Sequence, residues 1–103
     1  MEHFNHQAKN WDNDPAKVER AAFFAEKIKQ IIKPEGKLTA LEFGCGTGLL
    51  SFNLKDSFKL ITLSDTSEGM INVLREKIAK NGIKNFNPLL SDLLSINNGV
   101  KKH

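Results

Sequence analysis

The sequence predicts an α/β fold in which about three parallel strands are flanked by helices. Two observations predict it: helical and strand-like apolar patterns alternate along the 103 residues, and a glycine-rich turn joins the first strand to a helix. Strands that alternate with helices in this way pair in parallel through right-handed crossovers. We therefore expect one small domain with helices on both faces of the sheet, in three layers.

The first predicted helix begins at Asp14 and Pro15, because aspartate caps free backbone amides and proline fits the first helical turn. Small and apolar residues then recur at three- and four-residue spacing as far as Lys33, which predicts one buried face: Val18, Ala21, Ala22, Ala25, Ile28 and Ile32. Pro34 and Gly36 end the helix, since neither residue favours its continuation.

The first strand is predicted over residues 38–43, and a glycine turn over 44–48 leads directly into a short helix over 49–55. A second apolar run over residues 60–63 predicts the next strand, which ends at Ser64-Asp65. The helix after it begins near position 66 or 67, and its apolar residues share one face: Met70, Ile71, Leu74 and Ile78. An Asn-Gly pair at 81–82 is a favourable left-handed stop for this helix.

The third strand is predicted over residues 85–91 and contains Pro88. Proline cannot donate to a sheet ladder, so this strand is expected at the edge of the sheet. Residues 1–13 form a polar N-terminal segment, and residues 97–103 are expected to be a frayed polar tail.

Composition excludes several classes of function. The net charge of +3 is small, and no basic run is interleaved with aromatic residues, so nucleic acid is not expected as the main partner. A single cysteine, Cys45, rules out an internal disulfide. The chain has neither the roughly 20-residue apolar run of a membrane span nor a secretory signal. We expect a cytoplasmic protein with no membrane partner.

The glycine turn carries the first functional signal. Gly44, Gly46 and Gly48 follow the first strand, at the carboxyl end of the sheet where ligands of open α/β folds bind. A dinucleotide fingerprint would require its third glycine at position 49, which is leucine, and no P-loop lysine follows. The turn therefore predicts a nucleotide-like ligand of another class, or else a tight turn without a ligand.

Two aspartates follow the next two strands. Asp65 lies where a carboxylate can accept from both hydroxyls of a ribose; the less favoured alternative is a cap for the helix that begins beside it, and the two roles are compatible. Asp92 could accept from an adenine amino group or be an ordinary loop aspartate. Both positions are candidates for binding an adenosyl group.

Other reactive or aromatic side chains give weaker signals. Trp11 is either a lid over the ligand or a hydrophobic anchor for the N-terminal segment, and the anchor is the simpler interpretation. His3, His6 and His103 lie in the terminal segments and are expected to be surface residues. Cys45 lies inside the glycine turn with no base suggested beside it, so it is expected to fill space and not to act as a nucleophile.

With these sites placed, the chain resembles the class I S-adenosylmethionine-dependent methyltransferases. The resemblance rests on residues 41–48 (LEFGCGTG), 61–70 (ITLSDTSEGM) and 90–93 (LSDL), together with Trp11-Asp12 and the helix that carries Arg20. It implies the N-terminal half of a Rossmann-like methyltransferase fold, with S-adenosylmethionine as the cofactor.

The resemblance also implies a role for each matching position. Glu42 and the turn residues Gly44 and Gly46 would approach the methionyl end of the cofactor, and Asp65 would hold the ribose hydroxyls. The other implied binding residues complete the turn or surround the adenine: Cys45, Gly48, Thr66, Met70, Asp92 and the Leu93 amide. No residue is implied as a catalytic base, and no metal is implied.

Members of this family carry about seven strands, whereas the match here ends after the third. We therefore expect residues 1–103 to be a truncated or partial domain that alone transfers methyl groups weakly or not at all. A small molecule is the favoured acceptor, and the open edge of the first strand predicts that the chain alone either forms a homodimer or is only marginally folded. Two alternatives remain open: another nucleotide-binding α/β module, and a non-enzymatic interaction protein.

Overall fold

The computed structural model describes residues 10–32 and 37–91. Its elements follow the predicted order: a 3-10 helix at Trp11–Asn13, α1 at Pro15–Ile32, β1 at Thr39–Phe43, α2 at Leu49–Asn53, β2 at Leu60–Asp65, α3 at Glu68–Asn81 and β3 at Phe86–Leu90. The three strands form one sheet in the order β1-β2-β3, and both neighbouring pairs are parallel. The predicted α/β class with three parallel strands and flanking helices is confirmed.

Local capping explains where two of the helices begin and end. The Asp14 carboxylate accepts a hydrogen bond from the Ala16 amide at 3.0 Å, as predicted. That bond, followed by the one from the Lys17 ammonium, lowers the pKa of Asp14. The Ser67 hydroxyl accepts from the Met70 amide at 3.2 Å at the start of α3, and Gly82 ends this helix with a φ of 62°.

The hydrophobic core lies on one face of the sheet. Strand register places Ala40, Ile61 and Phe86 side by side on that face. All three α-helices contribute to the same cluster of buried or partly buried side chains, whose largest fully buried members are Ile61, Leu63, Ile71 and Leu74. Burial of such side chains, at about 1.5–3 kcal/mol each, is the main stabilising term for a domain of this size.

The prediction of three layers is wrong for the described residues. The opposite face of the sheet carries Leu41, Phe43 and Leu89, whose exposed fractions are 54%, 61% and 47%. Hydrophobic sequence patterns show which residues avoid water, but they do not show which side of a parallel sheet each crossover covers. The described residues therefore form two layers, with one apolar sheet face exposed.

The predicted apolar face of α1 is also only partly buried. Ala25 is 2% exposed and Ile28 is half-buried, but Val18 and Ile32 are 41% and 39% exposed. This helix of 18 residues, about 27 Å long, packs mainly against the five-residue α2 and the 3-10 helix. Only its middle therefore reaches the core.

The strand that contains Pro88 lies at an edge of the sheet, as predicted, because β3 pairs with β2 alone in the described structure. At the other side of the sheet β1 has a free edge among these residues, and the homodimer expected there stays a prediction. Within residues 10–32 and 37–91, no helix has the length and apolar character needed to cross a membrane. The proposed adenine contacts Asp92 and Leu93, the tail and the three histidines lie outside the described residues.

Candidate cofactor site

The three glycines of the turn all have positive φ, but they serve different purposes. Gly48, with a φ of 85°, faces the core, where an added Cβ would lie 2.8 Å from Leu74 Cδ1. Gly44, with a φ of 63°, faces open space, because a Cβ there would meet no atom within 4 Å. The turn therefore exposes the backbone at Gly44 for a close approach, while Gly48 lets the following helix pack closely.

A cavity of about 250 Å³ opens at the carboxyl ends of β1 and β2. It brings together five of the residues predicted from the sequence, Gly44, Gly46, Asp65, Thr66 and Met70, and adds Trp11 and Ser67 to them. This is the position at which open α/β sheets bind ligands. Of the remaining predicted residues that the structure describes, Gly48 faces the core, and Glu42 and Cys45 line a neighbouring cavity.

Asp65 ties the glycine turn to the second strand. One carboxylate oxygen accepts from the Gly46 amide at 2.8 Å, and the other accepts from the Ser67 amide at 2.8 Å. The cap of α3 is Ser67 and not Asp65, so the helix-capping alternative is wrong; Asp65 holds the glycine turn and the residue that precedes the helix. Since each carboxylate oxygen can accept more than one hydrogen bond, Asp65 keeps acceptor capacity toward the cavity that it lines.

A second cavity, of about 220 Å³, adjoins the first at Trp11. Its lining includes two cations, Lys17 and Arg20, and the carboxylate of Glu42. Glu42 accepts from the Ser51 hydroxyl at 2.5 Å. Burial raises the pKa of Glu42, and the negative charge of Asp65 adds to that effect, while the hydrogen bond from Ser51 opposes it. The second cavity is therefore lined by both basic and acidic side chains.

Cys45 fills the turn, in agreement with the sequence interpretation. Its side chain is buried, and its thiol donates to the Gly46 carbonyl oxygen at 3.4 Å. Burial, with the nearby charges of Glu42 and Asp65, raises the pKa of Cys45 to about 12. The thiolate that a nucleophilic role requires is therefore scarce at neutral pH.

Sequence reasoning missed the residues that hold the 3-10 helix beside the turn. Asp12 pairs with Lys77 at 2.6 Å, and the Thr47 hydroxyl donates to the same carboxylate. The sequence suggests an anchor or lid role for Trp11, but it carries no signal for the contact of Trp11 with Gly46. Lys77 lies on α3, far along the chain from Asp12, and a lone lysine on a helix carries no sequence signal for such a pairing.

The protein family described as "Methyltransferase domain" matches residues 40–101, which is more than half of the chain. No curated protein sequence matches the chain.

Among solved structures, a SAM-dependent methyltransferase from Aquifex aeolicus is 30% identical with a TM-score of 0.69; the match covers 85% of this chain and 47% of that one. A Methanococcus maripaludis protein assigned as an S-adenosyl-L-methionine-dependent methyltransferase is 26% identical with a TM-score of 0.70, covering 85% and 42%. Coclaurine N-methyltransferase, solved with N-methylheliamine and SAH, shares the fold at 18% identity and a TM-score of 0.62, covering 70% and 22%. The chain spans less than half the length of each of these structures.

Proposed function

Because the chain belongs to the methyltransferase domain family, we propose that it binds S-adenosylmethionine at the glycine turn. The second part of the proposal is that the methyl group passes to a small-molecule acceptor. The observation that carries the first part is the position of Asp65, a carboxylate at the glycine-turn cavity whose orientation is fixed by two backbone amides. A carboxylate at this place in an open α/β sheet suits the paired hydroxyls of a ribose.

The residues present fit an adenosyl group on one side of Trp11. Gly44 leaves its backbone open to the ligand, and Asp65 supplies an acceptor for ribose hydroxyls. Met70 is 3% exposed and lines the same cavity, so it offers a soft apolar surface to an adenine ring. These three features favour a nucleoside over a fully charged ligand.

The second cavity fits the amino-acid end of the same cofactor. Lys17 and Arg20 suit an α-carboxylate, and Glu42 suits an α-ammonium group. Burial raises the pKa of Glu42, and a bound ammonium group would lower that pKa again by favouring the ionised carboxylate. Together the two cavities reach the volume range of small-ligand sites, roughly 300–1,000 Å³.

When bound, the cofactor supplies a methyl group on a positively charged sulfur. The contribution of this chain is to hold and orient that group, since alignment alone can lower a reaction barrier by roughly 7–11 kcal/mol. The glycine turn and Asp65 fix the nucleoside, while Glu42 and Arg20 hold the other end, so the sulfur would lie between the two cavities near Trp11.

Calorimetric titration of the 103-residue chain with S-adenosylmethionine and S-adenosylhomocysteine tests this proposal. We expect saturable binding of both at one site per chain, and weaker binding of 5′-methylthioadenosine, which lacks the amino-acid end. A parallel titration with NADH tests the dinucleotide alternative. The sequence disfavours that alternative, because position 49 is leucine where the dinucleotide fingerprint requires its third glycine. Binding of NADH without binding of either sulfur ligand, by a chain that unfolds cooperatively, would contradict the proposal.

A further inference from the structure

The side chain of Asp12 connects three separate parts of the chain. One of its oxygens lies 2.6 Å from the Lys77 ammonium on α3, and the other accepts from the Thr47 hydroxyl in the glycine turn. Lys77 closes the network by donating to the Thr47 carbonyl oxygen at 2.8 Å. The side chains of Lys77 and Asp12 are only 21% and 32% exposed, and Thr47 is fully buried, so solvent screens this network less than a surface pair.

Trp11 precedes Asp12 in the 3-10 helix, so its ring lies next to this network along the chain. A Cβ placed on Gly46 would lie 3.4 Å from the indole nitrogen, so the ring packs directly on the glycine turn. The ammonium group of Lys17, near the start of α1, lies 4.0 Å from the centroid of the indole ring. The 3-10 helix has only three residues and no side-chain hydrogen bond at its start, so it cannot hold the ring by itself.

We propose that Asp12 and Lys77 are positioning residues that hold Trp11 as the shared wall of the two cavities. Among residues 10–32 and 37–91, Trp11 alone lines both cavities, and it would contact the bound ligand where the nucleoside meets the amino-acid end. Asp12 and Lys77 act through Trp11 and do not themselves contact the ligand. The identity of the ligand rests on the proposed function, whereas the placement of Trp11 by the network does not.

The fluorescence of Trp11 tests this inference without any ligand, because the chain has one tryptophan and no tyrosine. Asp12→Asn removes the charge but keeps the shape, and Lys77→Met removes the ammonium but keeps a long apolar side chain. We expect a red-shifted emission in both variants, as the ring leaves its half-buried place, and greater quenching by acrylamide. Asp56→Asn is the matched control, because it removes the exposed ion pair with Lys55 elsewhere on the surface.

The same variants are then titrated with S-adenosylhomocysteine. A tenfold loss of affinity, equivalent to about 1.4 kcal/mol, is expected for Asp12→Asn and Lys77→Met, with no loss for Asp56→Asn. Lys77→Arg keeps the charge and is expected to retain most of the affinity and the native emission. If one variant does not fold, the other decides. Raising the salt concentration to about 1 M, where the screening length is about 3 Å, should produce part of the same red shift in the unmodified chain.

Native emission in Asp12→Asn and Lys77→Met, or in the one of them that folds, would overturn the inference. If the unmodified chain does not bind S-adenosylhomocysteine, the proposed function fails, but the ligand-free emission of the two variants still decides whether the network positions Trp11. The two failures are therefore distinguishable.

Discussion

Replacing Gly48 with alanine is expected to lower the free energy of unfolding by about 2–5 kcal/mol. A non-glycine residue at a φ of 85° costs about 1–2 kcal/mol, and the added methyl group would lie 2.8 Å from Leu74 Cδ1 and 3.2 Å from Leu63 Cδ2. Overpacking of a filled core costs a further 1–3 kcal/mol or so. Since a domain of this size has about 5–15 kcal/mol in total, the variant should unfold at a much lower urea concentration.

Gly82→Ala is the matched control for this experiment. Gly82 also has a positive φ, 62°, but a Cβ there would meet no atom within 4 Å. Only the backbone strain is then incurred, and we expect a loss of about 1–2 kcal/mol. Equal losses in the two variants, measured by urea unfolding followed by circular dichroism, would show that Gly48 does not pack against Leu63 and Leu74 as described.

Asp65→Ala is expected to weaken binding of S-adenosylhomocysteine by about 100-fold or more. The change removes a charged acceptor for the ribose hydroxyls, and hydrogen bonds to charged groups contribute about 1.5–3 kcal/mol each. It also leaves the amides of Gly46 and Ser67 without their acceptor, so the turn loses its fixed position. Calorimetry gives the affinity, and thermal unfolding shows whether the variant is folded at the temperature of the titration.

Asp65→Asn separates the two roles of this residue. Asparagine keeps one acceptor oxygen, which can still receive the Ser67 amide, so the variant should be more stable than Asp65→Ala yet should still bind weakly. Asp56→Ala serves as the surface control, because the side chain of Asp56 is 90% exposed. A folded Asp65→Ala variant that binds as tightly as the unmodified chain would remove Asp65 from the site.

The parts of the fold that depend on local chemistry could be predicted from the sequence. The stop at Gly82 and the start at Asp14 follow from single residues, and both are present in the structure. The strand that contains Pro88 lies at the edge of the sheet, as expected because proline has no backbone N–H to donate to a neighbouring strand. The side of the sheet that each helix covers depends on how crossovers pack, and so the exposure of Leu41 and Phe43 was not foreseen.

The candidate site also contains residues that the sequence predicts and residues that it does not. Gly44, Gly46 and Asp65 could be found because strand ends meet at one edge of a parallel sheet. The network around Asp12 could not be found, since it joins residues that are distant along the chain and individually ordinary. Arg20 lies on α1, and its place at the second cavity depends on how α1 packs over α2.

The measurement that most directly tests the central claim is a titration of isotopically labelled chain with S-adenosylhomocysteine, followed by amide chemical shifts in NMR spectra. We predict that the largest changes fall on the glycine turn and the end of β2, at Gly44, Gly46 and Thr66, with little change at the distant Gly82. Changes confined to the exposed sheet face around Leu41 and Leu89, or no changes in a well-dispersed spectrum, would contradict an adenosyl site at the glycine turn.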